Sequence, residues 1–287
     1  MVDGLVVVDK APGWTSHDVV AKCRGIFGQK RVGHAGTLDP GATGVLLVGL
    51  GRVTRLLRYP GALPKTYTGE AVLGSETSTL DDEGEVTATY DMSGVRLEEV
   101  RAAAARFVGD IEQVPPMVSA VKVGGRRLHQ LARAGEEVER EPRPVTVYRL
   151  DVRPGSEPGV FVIEVECSSG TYVRALAADL GHALGGGAHL RRLRRTAVGQ
   201  FSVAEAKPVE ALGLEVVLPP VEAMRGYPRV GVEPAIANEV RHGKVLDASA
   251  LGAEGDGPWA VVDGDGTLLA VYEPYDNGRV KPAVVVG

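Results

Sequence analysis

The segment from Gly33 to Gly44, GHAGTLDPGATG, sets two titratable side chains, His34 and Asp39, among four glycines. Glycine adopts backbone conformations closed to other residues and lets the chain come close to a ligand, so such a run suits a site where a carboxylate meets a substrate. A carboxylate there can attack an electrophilic carbon or take up a proton. From spacing alone a plainer reading leads, with Asp39 making an Asx turn before Pro40 and His34 lying on the surface. Two phosphate-binding patterns are excluded. The G-K-[ST] ending of a P-loop is absent, with no Lys or Arg between Gly33 and Gly44, and the run does not match G-x-G-x-x-G after a strand.

Cations gather in two other places. Gly187 to Thr196 holds His189, Arg191, Arg192, Arg194 and Arg195 with no acid among them, and Lys122, Arg126, Arg127 and Arg133 form a second group. Grouped cations suit a nucleic-acid backbone, and a solvated charged face is the alternative. Strict alternation along a strand would put Arg192 and Arg194 on one side and Arg191, Leu193 and Arg195 on the other. The acidic run Asp81-Asp82-Glu83 allows the paired carboxylates of a glycosidase, but a turn before Gly84 explains it more simply.

The elements that must position these groups follow from periodicity. GLVVVDK reads as a buried strand, and Ser16 caps a helix from His17 to Gly28 with Val19, Val20, Cys23, Ile26 and Phe27 on one face. The glycine-rich segment reads as a loop throughout. Strands are expected at VLLVG from Val45, KTYTGEAVLG from Lys65, Pro144 to Val152 and Gly159 to Cys167. Helical spacing appears in LEEVRAAAARFVG, ended by Gly109, in HQLARAG, and from Thr171 to Leu184. Val118 to Val123, Gly124-Gly125 and Arg126 to Leu128 resemble a hairpin. Strands and helices do not alternate regularly, which predicts an α+β fold with a mixed, largely antiparallel sheet and flanking helices.

A chain of 287 residues, 44% hydrophobic and 24% charged, has the composition of an ordinary globular protein of two domains. A boundary falls between Leu218-Pro219-Pro220 and Gly226-Tyr227-Pro228. Beyond it, PAIANEVRHGKVL and WAVVDGDGTLLAVY suggest a small strand-rich module. From residue 227 onward, five Lys/Arg stand against nine Asp/Glu, so -4 of the net charge of -5 belongs to this module and the rest is close to neutral. Cys23 and Cys167 are too few for a disulfide framework or a four-thiolate zinc site, and the N-terminus lacks the features of a signal peptide. A cytoplasmic location is expected.

The glycine-rich segment, with VLLVGLG and RVTRL after it, resembles the catalytic segment of the TruB family of tRNA pseudouridine synthases. Further resemblances follow in the same order: Lys65-Thr66-Tyr67 to the family's K-x-Y element, TSTLDDEG to its acidic loop, and QVPPMVSAVKVGGRRLHQLARAG to the start of the segment that grips the RNA stem. CSSGTYVRALAADLG is similar to the G-T-Y-[IV]-R motif and HLRRLRRTAVGQF to the basic strand. These segments span most of residues 4 to 202. The resemblance to the small β-barrel C-terminal module of PUA type is faint, and the module's acidity argues against strong phosphate binding there.

The resemblance implies a pseudouridine synthase fold and isomerisation of uridine to pseudouridine in the T loop of tRNA, at position 55. That reaction breaks the ribose bond to base nitrogen N1, rotates the uracil and joins the ribose to C5, with no change of redox state and no metal or organic cofactor. It assigns the carboxylate to Asp39, acting either by attack on the ribose C1′ or by removing the C2′ proton. Arg174 is implied as the cation that keeps that carboxylate charged, and Tyr67 as the ring stacked on the uracil. Leu193 walls the pocket, Asp81 orients it, and His34 enters the RNA loop in place of the flipped base. Lys122, Arg126, Arg127, Arg192 and Arg194 are expected on the RNA. Read alone, Arg174 fits a surface pair with Asp179, and Tyr67 and Leu193 fit a core.

Residues 1 to 222 are therefore expected to form the catalytic domain, with an RNA-gripping insertion at about 113 to 145, and residues 227 to 287 the PUA-like module. The expected partner is tRNA, with no membrane, no protein partner and a monomer. The alternative is a tRNA-binding or RNA-folding protein on the same scaffold with no essential reaction. Asp39, Tyr67 and Arg174 together favour the enzyme.

Overall fold

A computed structural model describes residues 2–119, 122–128, 131, 136 and 138–286, with the backbone alone at 122, 123 and 127. The chain divides into two units, one of residues 1–40, 45–62 and 199–287, the other of residues 41–44 and 63–198. Among the described residues no helix is long and apolar enough to cross a membrane.

The first unit opens with β1 (Gly4–Lys10), α1 (Ser16–Ile26), β2 (Val32–Ala35) and β3 (Thr43–Leu50), whose first two residues belong to the second unit. β1 lies beside β3, and β2 pairs with β3 antiparallel. Residues 45 to 50 are wholly buried, as their apolar run requires. Two local expectations need correction. The cap of α1 is Thr15, whose side chain accepts from the Asp18 N–H while Asp18 returns a bond to the Thr15 N–H; Ser16 is the first helical residue. The glycine-rich segment is not loop throughout, because Gly33 to Ala35 continue β2 and pair with Gly49, Val48 and Leu47. Four residues of β3 set that register, a long-range pairing that local periodicity does not carry.

A turn of 3-10 helix (Gly51–Arg55) and α2 (Arg58–Ala62) follow. The arginines of RVTRLLR, part of the family-like segment, turn toward the C-terminal strands. Arg52 donates to the Val286 carbonyl at 2.5 Å, Arg55 to that of Val285 at 2.9 Å, and Arg58 to Glu273 at 2.6 Å. Tyr227 donates to the Tyr59 carbonyl at 2.9 Å and its ring meets the Tyr59 ring edge-on.

In the second unit come β4 (Lys65–Leu73), β5 (Ser75–Thr77), β6 (Val86–Thr89), α3 (Leu97–Ala105), β7 (Gly109–Gln113), β8 (Lys122–Val123), β9 (Arg126–Arg127), β10 (Arg143–Pro154), β11 (Val160–Cys167), the helix Val173–Ala183 and β12 (Ala188–Val198). Five of these strands form an antiparallel sheet in the order β12, β4, β11, β10, β7. The period-2 pattern decides its faces: Ala71 and Leu73, with Phe161, Ile163, Val165 and Cys167, pack against Val100, Ala103 and Ala104 of α3 and Val173, Leu176, Ala177 and Leu180 of the later helix. Each large aliphatic so buried contributes about 1.5–3 kcal/mol. The α3 helix ends at Ala105, four residues before Gly109, which opens β7 with φ +107° rather than closing the helix.

The first unit resumes with β13 (Phe201–Ser202) and β14 (Lys207–Pro208), which pairs parallel with β1. Its C-terminal part is a five-stranded sheet, in the order β15 (Arg229–Gly231), β17 (Trp259–Val262), β18 (Leu268–Pro274), β19 (Arg279–Val285) and β16 (Leu246–Asp247). β17 and β18 form the antiparallel pair expected from WAVVDGDGTLLAVY. Both free thiols are buried, and burial pushes each up to about 11, which disfavours the nucleophilic thiolate.

Candidate active site

Asp39 is half-buried, and the residues on both sides of it are held. Leu38 is buried, its N–H donates to Ser16 Oγ at 2.9 Å, and the Ser16 hydroxyl donates to the Leu38 carbonyl at 3.2 Å. The Pro40 carbonyl accepts from the Gly13 N–H and from Lys10 Nζ, both at 2.9 Å. Lys10 ends β1 with no exposure at all, and its ammonium also donates to the carbonyls of Ala11 at 3.0 Å and Trp14 at 2.7 Å. A buried ammonium is costly unless its donors are used, and carbonyls of three residues take them here. His34 lies half-buried on β2, its ring meeting that of His17, in the first turn of α1, edge-on at 5.5 Å.

The last four residues of the glycine-rich segment, Gly41 to Gly44, belong to the second unit. Gly44 has φ +100°, and a Cβ there would stand 2.1 Å from the Arg195 carbonyl, so only glycine fits. Thr43 and Gly44 pair in parallel with Arg194 and Arg195 of β12.

Tyr67 and Leu193 are half-buried against the core of the second unit. A Cβ at Gly69, two residues along from Tyr67 on the same face of β4, would press on Leu190 Cδ1 at 3.1 Å and lie in ordinary contact with Leu193 Cδ1 at 3.6 Å. Arg174 is buried, not the surface residue that a pair with Asp179 would need. Its guanidinium lies 3.3 Å from Asp81 and donates to the carbonyls of Thr79 at 2.8 Å and Val118 at 2.9 Å. Asp81 in turn accepts from the Thr79 hydroxyl and from the Glu83 N–H. The helix carrying Arg174 starts where buried Gln113 accepts from the Tyr172 N–H at 3.0 Å. Burial raises the carboxyl of Asp179, with His182 opposing that effect.

Lys65 and Arg195 are both almost fully buried. Burial first, and Arg195 beside it second, pull the Lys65 ammonium down to about 8. Its amine donates to the Leu63 carbonyl at 2.7 Å.

Residues 24–173 match the family model described as TruB family pseudouridylate synthase (N terminal domain). Residues 174–222 match that of the tRNA pseudouridylate synthase B C-terminal domain, and residues 227–287 that of tRNA Pseudouridine synthase II, C terminal. The chain belongs to the TruB family. A tRNA pseudouridine synthase B of Rhodococcus jostii (strain RHA1) is 47% identical over 99% of this chain and 93% of its own length. One from Symbiobacterium thermophilum is 53% identical over 84% of this chain and 82% of its own. Among solved structures, a chain of a Cbf5-Nop10-Gar1 complex superposes with a TM-score of 0.75 at 26% identity, covering 99% of this chain and 84% of that one.

In this TruB-family chain the basic strand departs from simple alternation. β12 slips register between Arg191, opposite Glu70, and Arg194, opposite Thr68, and Arg192 takes φ +55°. The extra residue of this bulge moves Arg191 to the face of Glu70, away from Leu193 and Arg195, with which alternation had grouped it. Glu70 pairs with Arg191 at 2.7 Å and with Arg192 at 3.1 Å, and Glu157 takes Arg191 at 3.0 Å. Burial pushes Glu70 up, but the two arginines outweigh it and hold the carboxyl below its ordinary value. Arg194 reaches the Thr43 hydroxyl at 3.3 Å. The sequence shows no acid within the basic run, but the neighbouring strand supplies one.

Between residues 113 and 145, β8 and β9 pair across Gly124-Gly125, as the hairpin signal predicts. This places Lys122 and Arg127 opposite each other by backbone. Arg126 makes a two-armed pair with Glu136, at 2.9 and 3.0 Å. Arg133 and most of HQLARAG lie outside the described residues. Lys10, Ser16 and Gln113 carry no chemical signal in the sequence, and Arg195 stands out there only as one cation of the basic run.

Proposed function

We propose that the uridine this enzyme isomerises lies in the T loop of tRNA, at position 55, and that Asp39 is its catalytic carboxylate. As a TruB-family protein the chain is a pseudouridine synthase, an isomerase of uridine in RNA. Asp39 assists cleavage of the N1–C1′ bond by attack on C1′ or by removing the C2′ proton. The uracil then turns and C5 bonds to C1′, the Asp39–C1′ bond breaking on the first route and the proton returning to C2′ on the second; C5 loses its proton and N1 gains one, so reactant and product are isomers. Tyr67 stacks on the turning base, Leu193 walls its pocket, and Arg174 is the cation of the site, oriented by Asp81. His34 fills the space that the flipped base leaves in the RNA loop, offsetting part of the unstacking cost.

Lys122, Arg126, Arg127, Arg192 and Arg194 contact the RNA backbone, those held by Glu136 or Glu70 exchanging a carboxylate for a phosphate. Residues 1 to 222 serve as the catalytic domain, with the gripping insertion at about 113 to 145, and residues 227 to 287 as the C-terminal module. The enzyme acts as a cytoplasmic monomer. The observation that carries the substrate reading is the near full-length likeness to relatives named tRNA pseudouridine synthase B. A binding protein with no essential reaction has no need of a carboxylate clamped on both sides.

An unmodified tRNA transcript incubated with the enzyme tests the position. Pseudouridine is expected at position 55 and is lost when that uridine is replaced by cytidine. Modification of other uridines with position 55 untouched contradicts the proposal.

A further inference from the structure

Serine at the start of a helix normally spends its hydroxyl on the helix's own N–H groups. In α1 that task belongs to Thr15, and the Ser16 hydroxyl is turned the other way. It is 2% exposed and meets the backbone of a single residue, Leu38, 22 positions away, accepting from its N–H at 2.9 Å and donating to its carbonyl at 3.2 Å. That carbonyl belongs to the peptide that joins Leu38 to Asp39.

We propose that Ser16 is a positioning residue for the isomerisation, fixing the peptide plane from which the Asp39 side chain departs. The inference rests on the reading of Asp39 as the catalytic carboxylate. With both polar groups of Leu38 held by one hydroxyl, its φ and ψ are fixed. On the far side the Pro40 ring fixes its own φ, and Lys10 and Gly13 hold its carbonyl. The backbone freedom left between these clamps is that of Asp39 alone. The Leu38 side chain is 3% exposed and anchors the loop in the core without Ser16. Removing the hydroxyl therefore frees the peptide plane and leaves an N–H and a carbonyl without their partner, while the loop stays attached. Displacement of a reacting group by about 1 Å costs on the order of a hundredfold in rate.

Ser16→Ala, Ser16→Cys and Asp39→Asn are compared with the parent by multiple-turnover kinetics on unmodified tRNA, with thermal unfolding measured alongside. The expected result for Ser16→Ala is a kcat about 10- to 100-fold lower with KM within about twofold of the parent. Ser16→Cys, whose thiol is a weak donor and acceptor of similar size, is expected to fall between. A purely structural serine lowers the unfolding temperature and leaves kcat of the folded protein at the parent value, and that result overturns the proposal. If Ser16→Ala does not fold, Ser16→Cys decides: a kcat at least about threefold lower with unchanged KM supports positioning, and parental kcat overturns it. Parental turnover by Asp39→Asn sinks the underlying reading instead, whatever the serine variants do.

Discussion

The carboxylate of Asp81 stands 3.3 Å from the guanidinium of Arg174, and the same guanidinium reaches the carbonyls of Thr79 and Val118. One buried side chain thus joins the acidic loop between β5 and β6 to the chain at Val118. A planar guanidinium presents its donors in a rigid fork spread over three nitrogens, whereas a lysine presents all of its donors from one point.

Asp81→Ala removes one partner of this pair and leaves Arg174 charged in a buried site. Breaking such a pair costs about 3–5 kcal/mol. Urea unfolding should show a loss of that order. Arg174→Lys should keep most of the fold and lose most of kcat, and unaltered turnover of that variant contradicts the assigned role.

Lys65 couples stability to pH. Its folded value of about 8 lies below its ordinary 10.5, so between those values the unfolded chain holds a proton that the folded chain lacks, and stability rises with pH. Below that window both states are protonated and the burial penalty is fully present. The urea midpoint of the parent should therefore climb relative to Lys65→Met from pH 8 to pH 10.5. A constant difference across that range contradicts the depressed value.

These two sites show what was legible. The chemistry-bearing runs, the strands of β4, β10 and β11, and the helix carrying Arg174 follow from residue types and periodicity, because each is a local pattern with one apolar face. The burial of Lys65 and Arg195 does not, since a charged residue in a strand reads as solvated until its neighbours are known. Nor does the bulge at Arg192, which depends on how β12 pairs with β4. The hydroxyl of Ser16 looked like a cap because its true partner lies 22 residues away.

Glu70 neutralises part of the basic strand, and its removal should strengthen RNA binding. Glu70→Gln frees Arg191 and Arg192 for phosphates, so the slope of log Kd against log salt should steepen by about 1 for each additional phosphate bound. Arg194→Ala should make the slope shallower by about 1. A Glu70→Gln protein with weaker tRNA binding and an unchanged slope argues against a phosphate role for these arginines.

The edge-on contact of His17 with His34 should steady the ring proposed to enter the RNA loop. Edge-to-face ring pairs are worth roughly 0.5–1.5 kcal/mol, and a loss of about 1 kcal/mol corresponds to about fivefold in affinity. His17→Ala is expected to raise KM for tRNA by about that factor with kcat little changed. Equal KM values for the two proteins contradict the role.

Asp39 remains the residue on which the proposed chemistry turns. Parent and Asp39→Asn are incubated with unmodified tRNA, binding is measured by filter retention, and pseudouridine is mapped along the product. The variant is expected to bind tRNA with parental affinity and form no pseudouridine at position 55, whereas pseudouridine at that position made by Asp39→Asn contradicts the assignment of Asp39 as the catalytic carboxylate.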